Sequence, residues 1–171
     1  MRRRALLGTI SAGMTLLGGC SDLQSGGGQP DVYNPTGRAT IRPLQTPFVR
    51  HGIDSDADQY LYAGLFTEGA TLDVTDEPDA RRYAAEVASL ATDQFALLTT
   101  LRTSASNPAY FWPAETEWRD GRLRVELERQ PKSPLDSGDE AVGVALTTFD
   151  VDGEPPDGAS LVTPGGATLS V

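Results

Sequence analysis

A single histidine and a single cysteine limit the chemistry open to this 171-residue sequence. His51 is the only candidate imidazole base, so a Ser-His-Asp triad would have to use it. No Gly-x-Ser-x-Gly turn accompanies it, and Ser133 and Ser137 lie in a segment rich in proline and aspartate. We therefore predict that His51 is a hydrogen-bonded turn or surface residue, and that the chain is not an enzyme.

An acidic segment with the spacing of calcium ligands follows His51. Asp54, Asp56 and Asp58 repeat the carboxylate spacing found in the first half of an EF-hand loop. The second half does not fit, because Gln59 stands where glycine is needed and Leu65 where a bidentate glutamate is needed. These three aspartates are weak metal candidates only.

A second acidic segment, residues 150–154, is expected to form a turn after a strand. Asp150 and Asp152 could contribute to a calcium or magnesium site, because carboxylate oxygens are the ligands that these ions prefer. The chain contains 24 acidic residues, so such clusters arise easily. We predict solvated acidic loops and no metal site.

Three consecutive aromatic residues, Tyr110, Phe111 and Trp112, form the most distinctive candidate for binding. Neighbouring residues of a strand point to opposite faces, so Tyr110 and Trp112 should lie on one side and Phe111 on the other. Pro113 indicates an edge strand. One aromatic set could then be exposed and dock a protein partner or a sugar. The simpler interpretation is that both sets pack against the helix or the neighbouring sheet.

The first twenty residues have the layout of a secretory signal. Three arginines precede an apolar stretch from Ala5 to Leu17, which at about 13 residues is shorter than the roughly 20 that a spanning helix needs. Leu17-Gly18-Gly19-Cys20 resembles the lipobox of bacterial and archaeal lipoproteins, and Arg3 and Arg4 resemble a twin-arginine export signal. Arg2 departs from that pattern, which usually has serine or threonine there. The resemblance implies cleavage before Cys20, lipid on its thiol, and attachment at the outer face of the cell membrane.

Lipidation of Cys20 would leave the exported domain without a thiol. A structural disulfide, a CxxC redox centre and a cysteine-based zinc site are then excluded. A blue-copper site is excluded too, because it needs two histidines and a cysteine thiolate. We predict no cofactor.

The composition is strongly acidic. Removal of the leader takes away three arginines and no acidic residue, which leaves 11 basic and 24 acidic residues and a net charge of −13. Lys132 is the only lysine. Such acid-rich, lysine-poor surfaces resemble those of halophilic proteins. The net charge argues against nucleic acid as a partner, because that binding depends on cationic neutralisation of phosphates.

The chain divides into a leader (1–19), a lipidated cysteine with a glycine- and proline-rich tether (20–37), and one globular domain (38–171). Asp120-Gly121 favours a type I′ hairpin turn, which would pair Trp118 with Leu123, Thr116 with Val125 and Glu117 with Arg124, and place Ala114 on the buried face. Gly165-Gly166 is expected to join two strands.

Further strands and one helix follow from hydrophobic patterning. Residues 95–102 and 142–149 are apolar on both faces, as central strands are, and shorter strands are predicted at 39–42, 60–66, 70–74 and 168–171. A helix is predicted from Pro78 to Leu90, with an ion pair between Arg82 and Glu86. The fold class is mainly β (α+β), a β-sandwich-like domain with one helical crossover.

The order of lipobox, glycine-rich tether, helix, residues 93–98 and the hairpin at 118–121 resembles small haloarchaeal lipoproteins of unassigned function. These motifs are structural, so no catalytic residue is carried over from them. We expect a membrane-anchored, non-catalytic binding or structural module with an unknown protein or small-molecule partner. The alternatives are an accessory or substrate-binding subunit of an envelope transport complex, and a small exported enzyme using His51.

Overall fold

The computed structural model describes residues 30–46, 48–50, 53, 59–119, 122–136 and 138–171. Several predictions concern residues outside these ranges. They are lipidation of Cys20, the export signal at Arg3 and Arg4, the aspartates Asp54, Asp56 and Asp58, the histidine His51, and the hairpin turn at Asp120-Gly121. The elements of the described part are β1 (Asp31–Pro43), β2 (Leu61–Phe66), α1 (Pro78–Ala88), β3 (Gln94–Ser104), β4 (Ala109–Arg119), β5 (Arg122–Pro131), β6 (Glu140–Asp152), β7 (Ala159–Val162) and β8 (Thr168–Ser170).

The strands form two four-stranded sheets, which confirms the predicted β-rich sandwich with one helix. The first sheet has the order β1-β6-β3-β2 and is antiparallel throughout. The second has the order β4-β5-β7-β8, in which β5 and β7 are parallel and the other neighbours antiparallel. Two strands were expected around Gly165-Gly166, and they are β7 and β8, although a range was predicted only for β8.

Two apolar clusters show that the first sheet is buried on both faces. Leu98, Val144 and Leu146 face the helix, whereas Phe95, Leu97 and Phe149 face the second sheet. The layers are therefore helix, first sheet and second sheet. β3 and β6 are the central strands of this middle layer. The prediction of central strands from their continuous apolar runs is therefore confirmed.

The helix lies in the connection between β2 and β3 and begins at Pro78 as predicted, with Glu77 at its N-cap. It ends at Ala88 rather than Leu90, although Leu90 is still buried. No helix in the described part of the chain has the length and apolar character needed to cross a membrane.

The predicted ion pair between Arg82 and Glu86 is wrong. Arg82 lies 3.6 Å from Asp79, while the Glu86 carboxylate lies 2.8 Å from Nε of Arg38 on β1. Arg38 lies on a strand that is distant from the helix in sequence, so this pair could not be derived from helical spacing. It fixes α1 against the edge of the first sheet.

Two strand predictions are corrected. The tether was predicted to reach residue 37, but β1 already begins at Asp31 and pairs with β6 on both sides of an irregularity between Tyr33 and Thr36. Residues 70–74 form no strand; Val74 makes a single bridge with Val49. Leu72 of this segment is instead buried in the core on the helix side of the first sheet, and Ala70 and Val74 pack against that core.

The register of the β4–β5 hairpin is confirmed. Trp118 lies opposite Leu123, Thr116 opposite Val125, and Glu117 opposite Arg124. Ala114, however, is exposed rather than buried, because a bulge between Pro113 and Glu115 leaves it without a partner residue.

Candidate binding groove

A groove of about 350 Å³ lies where the edge strand of one sheet approaches the edge strand of the other. Its walls come from β1, from β4, and from β5 with the residue that follows it. We call this feature the aromatic groove and define it by eight residues: Gly37, Arg38, Ala39, Tyr110, Trp112, Glu128, Gln130 and Lys132.

The alternation of β4 places its aromatic residues as predicted. Phe111 is only 4% exposed and belongs to the core between the sheets. Tyr110 and Trp112 point the other way and are partly exposed. The prediction of an edge strand at Pro113 is also confirmed, since β4 pairs only with β5. Tyr110 and Trp112 are therefore not part of the buried core, although they share their groove with β1 of the neighbouring sheet.

The bulge at Ala114 follows from the sequence of β4. Before it, the buried residues are Ala109, Phe111 and Pro113, all at odd positions; after it, Thr116 faces the core at an even position. A strand without a bulge would keep one parity throughout, because side chains alternate with a period of two. The extra residue allows the side chains on both sides of the bulge, Phe111 before it and Thr116 after it, to point toward the core.

Two contacts fix the aromatic half of β4 against the first sheet. The Thr99 hydroxyl on β3 donates a hydrogen bond to the Phe111 carbonyl at 3.1 Å. At the start of β4, the Ala109 carbonyl lies so close to Gly143 of β6 that a Cβ there would come within 1.9 Å of it. The backbone between Tyr110 and Trp112 is thus held by the core and not by the groove itself.

The β1 wall of the groove has little side-chain bulk. Gly37 and Ala39 lie opposite Thr147 and Ala145 of β6, on the face turned toward the second sheet. A Cβ at Gly37 would lie 2.1 Å from the Leu146 carbonyl, so this position accepts only glycine. Arg38 lies on the other face and pairs with the helix, so its guanidinium is directed away from the aromatic rings.

The rings form a corner. The Tyr110 and Trp112 centroids are 6.2 Å apart and their planes are 84° from parallel. The Lys132 ammonium lies 5.4 Å from the Tyr110 centroid, a distance typical of a cation–π contact. Within the described residues Lys132 has no carboxylate partner, while Glu128 accepts a hydrogen bond from the Gln130 side-chain amide.

The structure corrects the interpretation of Asp150 and Asp152 as turn residues. Both belong to β6, and the turn starts at Gly153, where φ is +136°. The Asp150 carboxylate accepts hydrogen bonds from Gln94 at 2.9 Å and from Asn34 at 3.1 Å. These bonds, the one from Gln94 first, hold the pKa of Asp150 below its ordinary value.

The described residues contain no group of three or more histidine, cysteine, aspartate or glutamate side chains placed to hold a metal ion. A larger cleft, of about 750 Å³, lies between β2 and residues 154–157. Its charged side chains are those of Glu68, Glu154 and Asp157, without a cation among the lining residues. It offers neither a cation to bind an anion nor a metal-ligating cluster.

Lys132 and the β1 wall were not predicted as parts of a site. The single lysine was visible in the composition, but its position beside Tyr110 depends on the β4–β5 register. The contribution of β1 depends on tertiary packing, since more than 70 residues separate Ala39 from Tyr110. This chain matches no protein-family model, no curated protein and no solved structure.

Proposed function

We propose that this chain is a non-catalytic binding or structural module of the cell envelope, exported and held at the outer face of the cell membrane by lipid on Cys20. The aromatic groove is its binding surface. The single observation that carries this proposal is the orientation of Tyr110 and Trp112. Both rings are partly exposed in a groove, although the same strand buries Phe111 in the core.

The geometry of the groove indicates that the two rings serve to bind a ligand rather than to stabilise the fold. Tyrosine and tryptophan offer large contact area together with a polar group at low conformational cost, so they are enriched at recognition sites. The two rings contact each other at the protein surface and leave the Tyr110 hydroxyl and the Trp112 indole N–H without hydrogen-bond partners in the described part of the chain. These groups are available to a ligand.

The position of the groove along β4 suits a module that is tethered through its N-terminus. The indole N–H of Trp118 donates to the Pro30 carbonyl at 2.6 Å, which places the start of β1 beside the hairpin end of β4. Trp112 lies six residues back along β4, a separation of up to about 20 Å at 3.3 Å per residue. The ten steps along the chain from Cys20 to Pro30 reach at most about 36 Å. Because the tether can extend further than that separation, it leaves the groove accessible to a partner.

The location is tested by fractionating membranes from cells that export the full chain. The parent should sediment with the membranes, and a Cys20→Ser variant should move to the soluble fraction because it lacks the acceptor for lipid. Equal sedimentation of the two forms would contradict lipid anchoring through this residue.

Binding is tested by immobilising the exported chain and measuring how much fragmented envelope material from the same cells it retains. A Tyr110→Ala/Trp112→Ala variant should retain at least tenfold less than the parent. The matched control is Glu117→Ala/Arg124→Ala, which changes two paired side chains on the outer face of the same hairpin. Equal retention by the groove variant and the control would refute the groove as the binding surface.

A further inference from the structure

We infer that the ligand of the aromatic groove is an acidic saccharide, a sugar chain that carries carboxylate groups. This inference rests on the proposed function, because it assigns a ligand class to the same groove. Three properties of the groove support it: the perpendicular rings, the set of hydrogen-bonding groups around them, and the position of one cation.

The two rings provide a surface for a pyranose. One face of a sugar ring carries mainly C–H groups, and these are attracted to the negative face of an aromatic ring. Because the Tyr110 and Trp112 planes stand 84° apart, a sugar that stacks on one ring meets the edge of the other. The groove volume of about 350 Å³ lies at the lower end of the range of small-ligand sites.

Hydrogen-bonding groups around the rings are donors beside Tyr110, at the Lys132 end of the groove, and include the acceptor carboxylate of Glu128 opposite Trp112. The Trp112 indole can only donate, the Lys132 ammonium can only donate, and the Tyr110 hydroxyl can do both. One N–H of the Gln130 amide is donated to Glu128, which leaves its second N–H and its carbonyl oxygen for a ligand. Such a set matches a ligand rich in oxygen acceptors that also has hydroxyl donors.

The charge of Lys132 favours a ligand carboxylate at the Tyr110 end of the groove. Glu128, opposite Trp112, accepts hydrogen bonds from ligand hydroxyls at the other end. Most cations in the described residues pair with carboxylates, as Arg38 does with Glu86 and Arg102 with Glu140. Lys132 instead lies beside the face of Tyr110, and no described carboxylate pairs with it. An anion entering the groove gains a charge-assisted hydrogen bond without displacing an existing ion pair.

The inference is tested with tetragalacturonate as the acidic probe, cellotetraose as the neutral one, and a tetra-aspartate peptide as a non-sugar acid. The full exported chain, purified in detergent, is titrated while its tryptophan fluorescence is recorded. The sequence has two tryptophans, so Trp118→Phe leaves only the groove tryptophan and Trp112→Phe leaves only the distant one. Tetragalacturonate should change the emission of the Trp118→Phe variant and leave that of Trp112→Phe unchanged.

The role of charge is tested with Lys132→Gln, which should weaken tetragalacturonate binding about tenfold, the effect of losing a hydrogen bond to a charged group. Arg122→Gln is the matched control. It removes a cation that also lacks a described carboxylate partner, ten residues away along the same outer face, and it should bind like the parent.

Three results would overturn the inference: no binding of tetragalacturonate, binding of cellotetraose with equal affinity, or equal binding of the aspartate peptide. If any of these occurs while the Tyr110→Ala/Trp112→Ala variant still loses envelope material, the ligand class is wrong and the proposed function stands. If that variant also retains envelope material as well as the parent does, both proposals fail.

Discussion

The Thr99 hydroxyl donates a hydrogen bond to the Phe111 carbonyl at 3.1 Å, and this bond joins the two sheets next to the aromatic groove. Thr99 is 2% exposed, in a layer that consists mostly of apolar side chains. The polar contact is therefore local and buried. It holds the backbone between Tyr110 and Trp112 at a fixed distance from β3.

Replacing Thr99 with valine should lower the free energy of unfolding by about 1–2 kcal/mol, because the substitution removes the donor to a buried carbonyl without changing the side-chain volume much. Denaturant titration measures the change. Thr103→Val is the matched control, since the Thr103 hydroxyl makes an equally long but exposed bond to the Asn107 carbonyl and should cost less than about 0.5 kcal/mol. An equal decrease in the free energy of unfolding for both variants would show that the buried hydrogen bond between the sheets stabilises the fold no more than the exposed one.

Gly143→Ala should destabilise the fold by about 2–3 kcal/mol, the cost of forcing extra volume into a packed core. The added Cβ would lie 1.9 Å from the Ala109 carbonyl, so β4 has to move away from β6. Gly165→Ala, at a position where a Cβ meets nothing closer than 3.9 Å, should leave the melting temperature nearly unchanged. A tolerated Gly143→Ala would disprove the close approach of the two strands.

Acid unfolding should depend on Asp150. Hydrogen bonds from Gln94 and Asn34 hold its pKa below the ordinary value of 3.8, so the ionised form stabilises the folded state above about pH 4. That stabilisation is lost as the pH falls through the lowered pKa. Asp150→Asn should therefore be less stable than the parent at pH 7, and the difference in melting temperature should shrink below pH 4. A difference that is constant with pH would contradict this assignment.

Asp152→Asn is the control for that experiment and carries its own expectation. Asp152 lies opposite Asp31 across β1 and β6, and like charges in this arrangement repel each other. Neutralising it should leave stability at pH 7 unchanged or slightly higher. A loss as large as that of Asp150→Asn would mean that general acidity, and not the hydrogen bonds of Asp150, governs the pH dependence.

The fold was largely predictable where one face of a strand is buried. The Asp120-Gly121 turn, together with the alternating apolar residues beside it, predicted the register that pairs Trp118 with Leu123. Continuous apolar runs predicted β3 and β6. Strand β1 was predicted in part as a tether, because most of its residues from Asp31 to Arg38 are exposed and show no apolar period. Its pairing depends on β6, which local patterning does not reveal.

The binding groove was predictable only in its aromatic half. The alternation of Tyr110, Phe111 and Trp112 and the edge position of Pro113 followed from single-strand rules. The parity change between Pro113 and Thr116 also contained the signal for the bulge, although the sequence was interpreted as a regular strand. The β1 wall and the position of Lys132 required the packed structure, because they arise from residues far apart in the chain.

Trp118→Phe should loosen the start of β1. Removing the indole N–H deletes the hydrogen bond to the Pro30 carbonyl and should cost about 1 kcal/mol. Amide hydrogen exchange should become faster in the first residues of β1 and stay unchanged in β3. Trp112→Phe is the control and should alter neither segment, because the Trp112 indole makes no such bond in the described part of the chain. Unchanged exchange in β1 would show that Trp118 does not hold the tether end.

The most direct measurement of the central claim, that the aromatic groove is the binding surface, is photo-crosslinking in intact cells. A benzophenone amino acid replaces Tyr110 in the full exported chain, and in a control it replaces Tyr33, a more exposed tyrosine on the helix-side face of β1. The account predicts adducts of higher mass from position 110 and none from position 33. Adducts from position 33 alone, or equal adducts from both, would contradict it.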